Sequence, residues 1–482
     1  MDLENPPRGI RDATARDAVR IDAKFDLKGV GAAVDFCEGE QKMPSNISKS
    51  AATAQAMALL EALIDRSISE RVGFRFWDGT PWPDERVRPA TLVLRHPDAL
   101  ENMLLPGTEA GLAEAYLRDD FDLEGNVETA FDLAEHLLSK NGSSGGPARW
   151  LGAWRNLPAG AKLRAAGRLL PHGLGRQHSR ERDRQAVTFH YNVSNEFYAL
   201  WLDRNMIYSC GYFESPEDTL ETAQQRKLDY LCRKLRLHPG QRLLDIGCGW
   251  GALVRHAAEY WGVRATGITL SEPQAAWART RVTEAGLAGR VNVELMDYRD
   301  CARTGESYDA IVSVGMAEHV GREHLPEYFR IVWNALKPRG VFLNHAIAEG
   351  PVPRLDAGGE YFIDRHVFPD SDVPPISVVA AAAQSAGFEV RDIESLREHY
   401  ALTLRHWLRR LEAAHDDARR FVDESTYRTW RLYLAGSAHG FAVGHLDIFQ
   451  TLLCRLDEHG AAGLPLTRAD WYQPPRPRPD RI

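Results

Sequence analysis

The chain has 482 residues, 44% of them hydrophobic and 26% charged, with a formal net charge of -8. That length admits two to three domains and a large core, in a composition ordinary for a soluble globular protein. The negative charge argues against a general nucleic-acid binder, and six cysteines scattered without C-x-x-C or histidine pairing suggest neither a zinc site nor a disulfide framework.

Met1 to Arg20 is polar and charged, without the apolar centre of a signal peptide, and its first 15 or so residues read as a disordered tail. No apolar run approaches the ~20 residues needed to cross a bilayer. The expectation is a reducing, cytoplasmic setting in which any membrane contact is local and peripheral. Ala51 to Ile68 has a helical pattern, and Val72-Gly-Phe-Arg-Phe-Trp77 alternates like a strand before the Asp78-Gly-Thr-Pro turn. Ala90 to Arg95 reads as a second strand, followed by helices through Lys140. This amino-terminal domain, 1-140, carries no catalytic constellation and reads as a scaffold or binding surface.

Residues 141-186 read as a linker and basic amphipathic segment. Asn141-Gly-Ser-Ser-Gly-Gly-Pro147 is linker by composition, and Arg176, Arg180, Arg182 and Arg184 follow among Trp150, Trp154, Leu169 and Leu170. Such a segment suits an interfacial helix on anionic lipid. A solvated connector between domains accounts for it equally well. The aromatic run Phe189 to Tyr198 with Trp201 suits either the wall of a ligand pocket or plain core. Residues 461-482 read as a polar, proline-rich tail.

Between these ends lies a βαβα series. Leu243, Leu244 and Ile246 form a short apolar strand with Asp245 near its end, and Gly247, Gly249 and Gly251 turn it into the helix Ala252 to Tyr260. The spacing is G-x-G-x-G, not the G-x-G-x-x-G of dinucleotide folds. Strands follow at Val263 to Leu270, Val291 to Asp297, Tyr308 to Val314 and Gly340 to His345, with helical patterns between them. Thr269, Ser271 and Gln274 end the second strand where a dinucleotide binder has an acidic ribose ligand, and Asp297-Tyr298 ends the third. The fold class is therefore α/β: a class I SAM-methyltransferase, Rossmann-like doubly wound sheet with a smaller mixed amino-terminal domain.

Tyr208-Ser-Cys210, Leu244 to Gly251, Gly267-Ile-Thr-Leu-Ser271, Asp297-Tyr-Arg-Asp300, Gly315-Met-Ala-Glu-His-Val-Gly321 and His345-Ala-Ile347 follow one another in that order. This series resembles the cyclopropane fatty acid synthase family over roughly Val187 to Leu453, and Gly111 to Phe121 echoes that family's amino-terminal domain. The methyltransferase domain is accordingly set at 187-460, with acyl-binding insertions. The resemblance implies two cofactors, S-adenosyl-L-methionine (SAM) and bicarbonate, and no metal. SAM contacts fall on Tyr208, Ser209, Asp245, Gly247, Gly249, Thr269, Leu270, Ser271, Gln274, Asp297 and Tyr298. The cradle of a bicarbonate base falls on Cys210 and Ile347, mainly through backbone, with Glu318, His345 and Tyr400. Trp250 remains either cofactor wall or core.

The chemistry needs such a set. Attack of an alkene on the sulfonium methyl leaves a carbocation on the acyl chain, and a base must take a proton from the added methyl for a ring to close. Glu318 can accept from a protonated oxygen, while His345 and Tyr400 can donate to an anion. The implied partners are membrane phospholipid acyl chains at the inner face of the membrane, with a homodimer as the family's suggestion. Three departures from the family pattern bear on the product. Ala317 stands where Phe is common, Ser437 replaces a cysteine, and Phe368 to Pro375 lacks a glycine. Open alternatives are a methyl- or methylene-branched product, a non-catalytic lipid-binding subunit, and a small-molecule methyltransferase. Chain length, double-bond position and head group are not legible.

Overall fold

The structure, a computed structural model, describes residues 49–104, 107–142, 193–354, 362–363, 367 and 372–473. Val72–Arg75 (β1), Pro81–Trp82 (β2), Ala90–Leu94 (β3) and Phe121–Gly125 (β4) form a four-stranded sheet in the order β2-β1-β3-β4. β3 alternates buried and half-buried residues, the period of a strand with one covered face. β1 and β3 run parallel, and each pairs antiparallel with its outer neighbour. The helix expected from Ala51 to Ile68 is divided. Lys49–Leu63 ends, and Asp65 caps a separate turn, Arg66–Ser69, by accepting from the Ile68 N–H.

The second sheet holds Arg242–Ile246 (β5), Arg264–Thr269 (β6), Val291–Leu295 (β7), Tyr308–Val314 (β8), Leu336–Glu349 (β9), Glu389–Ser395 (β10) and Leu446–Cys454 (β11). Its order is β10-β11-β9-β8-β5-β6-β7, with β5 to β9 mutually parallel and β11 antiparallel to both neighbours. The chain winds outward through β6 and β7, then returns to lay β8 on the other side of β5. That reversal opens a crevice at the carboxyl ends of β5 and β8, the usual ligand position in such sheets. β10 and β11 are not anticipated by the sequence pattern. β11 is buried at all but one position, so its apolar run lacks the alternation that marks a strand.

Residues 49–142 do not keep a core to themselves. Phe74, Leu92 and Tyr116 belong to one buried cluster with Trp201, Trp407 and Trp430. The helix Glu424–Val443 carries the joint. Buried Arg428 donates to the Tyr116 carbonyl at 2.6 Å and to Asp119 at 2.6 Å. Gly436 faces the Phe131 ring so closely that a Cβ there would sit 2.8 Å from it. Arg405, on the helix Arg397–Ala413, makes a two-pronged pair with Glu128 at 2.8 and 2.6 Å.

Several expectations fall outside the described residues: the tail before residue 49, the linker and basic segment at 143–186, the residues Phe189 to Asn192, residues 368–371 of the glycine-lacking loop, and the tail beyond Gln473. No described helix is long and apolar enough to cross a membrane.

Candidate functional site

The turn after β5 builds the first cavity. Gly247, Gly249 and Gly251 all have positive φ, at +81, +52 and +76°. A Cβ on Gly251 would lie 2.9 Å from the Ala278 Cβ, so this glycine lets the helix Ala252–Trp261 approach the helix Glu272–Glu284. The result is a cavity of about 160 Å³ between the glycine turn, the ends of β6 and β8, and the segment 206–209.

Nine of the eleven residues expected at the cofactor line it: Tyr208, Ser209, Asp245, Gly247, Gly249, Thr269, Leu270, Gln274 and Tyr298. Two do not. Ser271 caps the helix Glu272–Glu284, its hydroxyl accepting from the Gln274 N–H, and Asp297 holds Arg299 with both oxygens at 2.8 and 2.6 Å. Both support neighbours that do face the cavity. Thr269 donates to Gln274 at 3.0 Å, so the neutral pair stands at the end of β6 as a joined unit. Burial pushes the Asp245 carboxyl up to about 7. Trp250 borders the cavity, is 3% exposed, and donates to Asn195 at 2.8 Å.

A second cavity, about 460 Å³, shares Tyr208, Ser209, Gly315 and His319 with the first. Glu318, His345, Ile347 and Tyr400 line it together with Tyr433, Ser437 and Phe441. Glu318 sits on the one-turn helix Ala317–His319; its Oε1 accepts from the Ile347 N–H at 2.7 Å, while Oε2 has no partner among the described residues. Burial raises its carboxyl to about 7. His345, in β9, is 1% exposed and held well below its ordinary pKa by burial, hence neutral. Its Nδ1 faces the Gln450 amide nitrogen of β11 at 3.3 Å, and its Nε2 has no partner among the described residues. A donated hydrogen bond at Nδ1 leaves the proton on Nε2. Tyr400 packs on Phe441 at 4.7 Å between ring centroids.

Cys210 stands apart from this group. Its thiol is fully buried, lies 3.2 Å from the Gly211 carbonyl and 3.8 Å from that of Leu396, and lines neither cavity. Desolvation keeps it protonated. Ala317 likewise lies in the core with Ile246 and Leu325 rather than in the cavity wall. Ser437 does line the cavity.

Sequence reasoning missed Lys227, His319, Tyr433 and Gln450. Lys227 left one trace: it falls on the apolar stripe of Leu220–Lys234, four residues from both Ala223 and Leu231. Gln450 left none, because its role depends on lying opposite His345 across the β9–β11 ladder.

Residues 178–451 match the family model for mycolic acid cyclopropane synthetase. A probable fatty acid methyltransferase of Pseudomonas putida is 38% identical over 405 residues, covering 83% of this chain and 95% of that protein. The cyclopropane-fatty-acyl-phospholipid synthase of Escherichia coli is 36% identical over 56% of this chain and 68% of its own. A solved mycolic acid cyclopropane synthase complexed with SAH and CTAB superposes with a TM-score of 0.53, at 34% identity, over 56% of this chain and 97% of its own. With its glycine turn, its doubly wound sheet and this match over more than half its length, the chain belongs to the mycolic acid cyclopropane synthetase family, a family of SAM-dependent lipid methyltransferases.

Proposed function

We propose that this protein transfers a one-carbon unit from SAM to the cis double bond of unsaturated phospholipid acyl chains, forming cyclopropane fatty acids. The observation that carries this reading is the shared wall of the two cavities at Tyr208, Ser209, Gly315 and His319. A donor in the first and an alkene in the second would meet there. Ile347, Leu404, Phe441 and Ile448 give the second cavity the apolar surface an acyl chain needs. Arg322, Glu349 and Arg354 border the same cavity and suit a polar lipid end.

When bound, SAM supplies an electrophilic methyl and bicarbonate a base. The chain's own groups fit a small oxyanion in the second cavity. Neutral His345 offers its free Nε2–H, Tyr400 offers a hydroxyl, and ionised Glu318 accepts a proton-bearing oxygen at Oε2. The Ile347 N–H fixes the other carboxylate oxygen, so Glu318 needs no rotation to act. Tyr208, Tyr400 and Phe441 present aromatic faces that stabilise a cationic acyl chain. Cys210, to which the resemblance gives a backbone contact, lines neither cavity and takes no part in this scheme.

Purified protein given SAM and unsaturated phospholipid vesicles is expected to add one CH2 to the acyl mass with loss of the alkene proton signal. A retained alkene signal would assign the branched product instead, and no mass gain would end the reading.

The Glu318 carboxyl titrates at about 7, and its ionised form is the competent one. At saturating SAM, kcat/KM for lipid is expected to fall as pH drops below about 7 and to level above it. A flat profile from pH 5.5 to 8.5 would remove Glu318 from the reaction.

A further inference from the structure

The helix Leu220–Lys234 buries two lysines seven residues apart, and they are treated differently. Lys234 is neutralised: its ammonium contacts Glu394, stands 3.6 Å from Asp392, and lies over the Tyr230 and Trp471 rings. Lys227 is 2% exposed and lines the first cavity, yet no carboxylate pairs with it among the described residues. Its one hydrogen bond goes to the Ser209 hydroxyl at 2.7 Å. Two of its three N–H bonds therefore lack an acceptor, and Ser209, accepting from Lys227, keeps its own O–H to donate. Asp203 and Asp245 act on this ammonium only through space, and a buried cation without a hydrogen-bonded counter-charge is costly. Anchoring the loop does not explain it, because Gln224 already holds the Ser209 carbonyl at 2.8 Å.

The same cavity holds Asp245, 2% exposed, whose side chain accepts no hydrogen bond among the described residues. One cavity thus presents unfilled donors at Lys227 and Ser209 and an unfilled acceptor at Asp245. The complement is a zwitterionic amino-acid group. SAM carries a sulfonium as well, and a bare ammonium beside that cation would repel it. An anionic group lying against the lysine adds to the through-space effect of Asp203 and Asp245 and makes the pocket favourable to a cationic donor.

Resting on the reading of this cavity as the SAM site, we propose that Lys227 and Ser209 seat the α-carboxylate of SAM, with Asp245 on its ammonium. Lys227 is then the residue that distinguishes SAM from donors lacking the carboxylate. Its ammonium, brought down to about 8 by burial, is still mainly charged at neutral pH.

The test is calorimetric titration of SAM and of decarboxylated SAM into the full-length protein and into Lys227→Met. Wild type is expected to bind SAM about 10- to 100-fold more tightly than the decarboxylated form, the range of one charge-assisted hydrogen bond. Lys227→Met should lose that factor for SAM and hold the decarboxylated form at least as well as wild type. Equal loss for both ligands, or for neither, overturns the proposal and leaves Lys227 a packing residue. Equal binding of both ligands by wild type also overturns it, without any need for the variant to fold. Failure of wild type to bind SAM at all would instead remove the reading of the cavity, and the carboxylate seat with it.

Discussion

Glu318→Gln is expected to lower kcat by about 10²- to 10³-fold while leaving SAM affinity within a factor of two. The substitution keeps the shape and one acceptor oxygen for the Ile347 N–H, but removes the ionised Oε2 that has no partner among the described residues. Stability should move the other way. Glu318 has a folded pKa of about 7 against an ordinary 4.5. A raised carboxyl contributes stability that is fully present below the unfolded value and is lost as pH rises through the folded value. Above pH 7 the protein therefore holds a buried carboxylate at a cost, and the neutral amide relieves it. At pH 8 the variant should unfold at the same denaturant concentration as wild type or a higher one. A variant with undiminished turnover, or one that loses turnover only through a lower unfolding midpoint, would show that Glu318 serves the fold and not the chemistry.

Arg428→Ala is the largest stability loss expected outside the two cavities, about 3 kcal/mol. Its guanidinium is buried, donates to the Tyr116 carbonyl at 2.6 Å, and lies 4.6 Å from the Tyr116 ring centre. A hydrogen bond from a charged donor contributes roughly 1.5–3 kcal/mol, and a desolvated cation–π contact on the order of 2 kcal/mol. Asp119 is more than half exposed, so its 2.6 Å pair with Arg428 adds little in water. Arg428→Lys should recover less than half of the loss, because one ammonium cannot span the planar set of acceptors. Urea unfolding and limited proteolysis of residues 49–142 measure both effects. A loss below 1 kcal/mol would mean that the shared core, not this arginine, secures the amino-terminal sheet.

The sheet and its crevice were legible in the residues alone because both are local. An apolar run, a polar strand end and a glycine turn lie within ten residues of one another, and β5 to β8 appear within two residues of the expected ends. β9 was seen only in its middle, since Leu336–Glu349 extends well beyond the apolar stretch Gly340 to His345. Glu318, His345, Ile347 and Tyr400 were nameable from family motifs, and folding brings all four to one cavity.

Other features came only from tertiary packing. The direction of the Cys210 thiol follows from the carbonyls of Gly211 and Leu396 around it, the latter 186 positions away. Gln450 meets His345 because β11 runs antiparallel to β9, a pairing across 105 positions that no local pattern records. Lys227 and Lys234 look alike on one helix stripe, and only the positions of Glu394 and Ser209 decide which is neutralised and which faces the cavity. Composition and periodicity report what a segment prefers by itself. Which charge meets which depends on contacts between segments far apart in the chain, and these exist only once the core has closed.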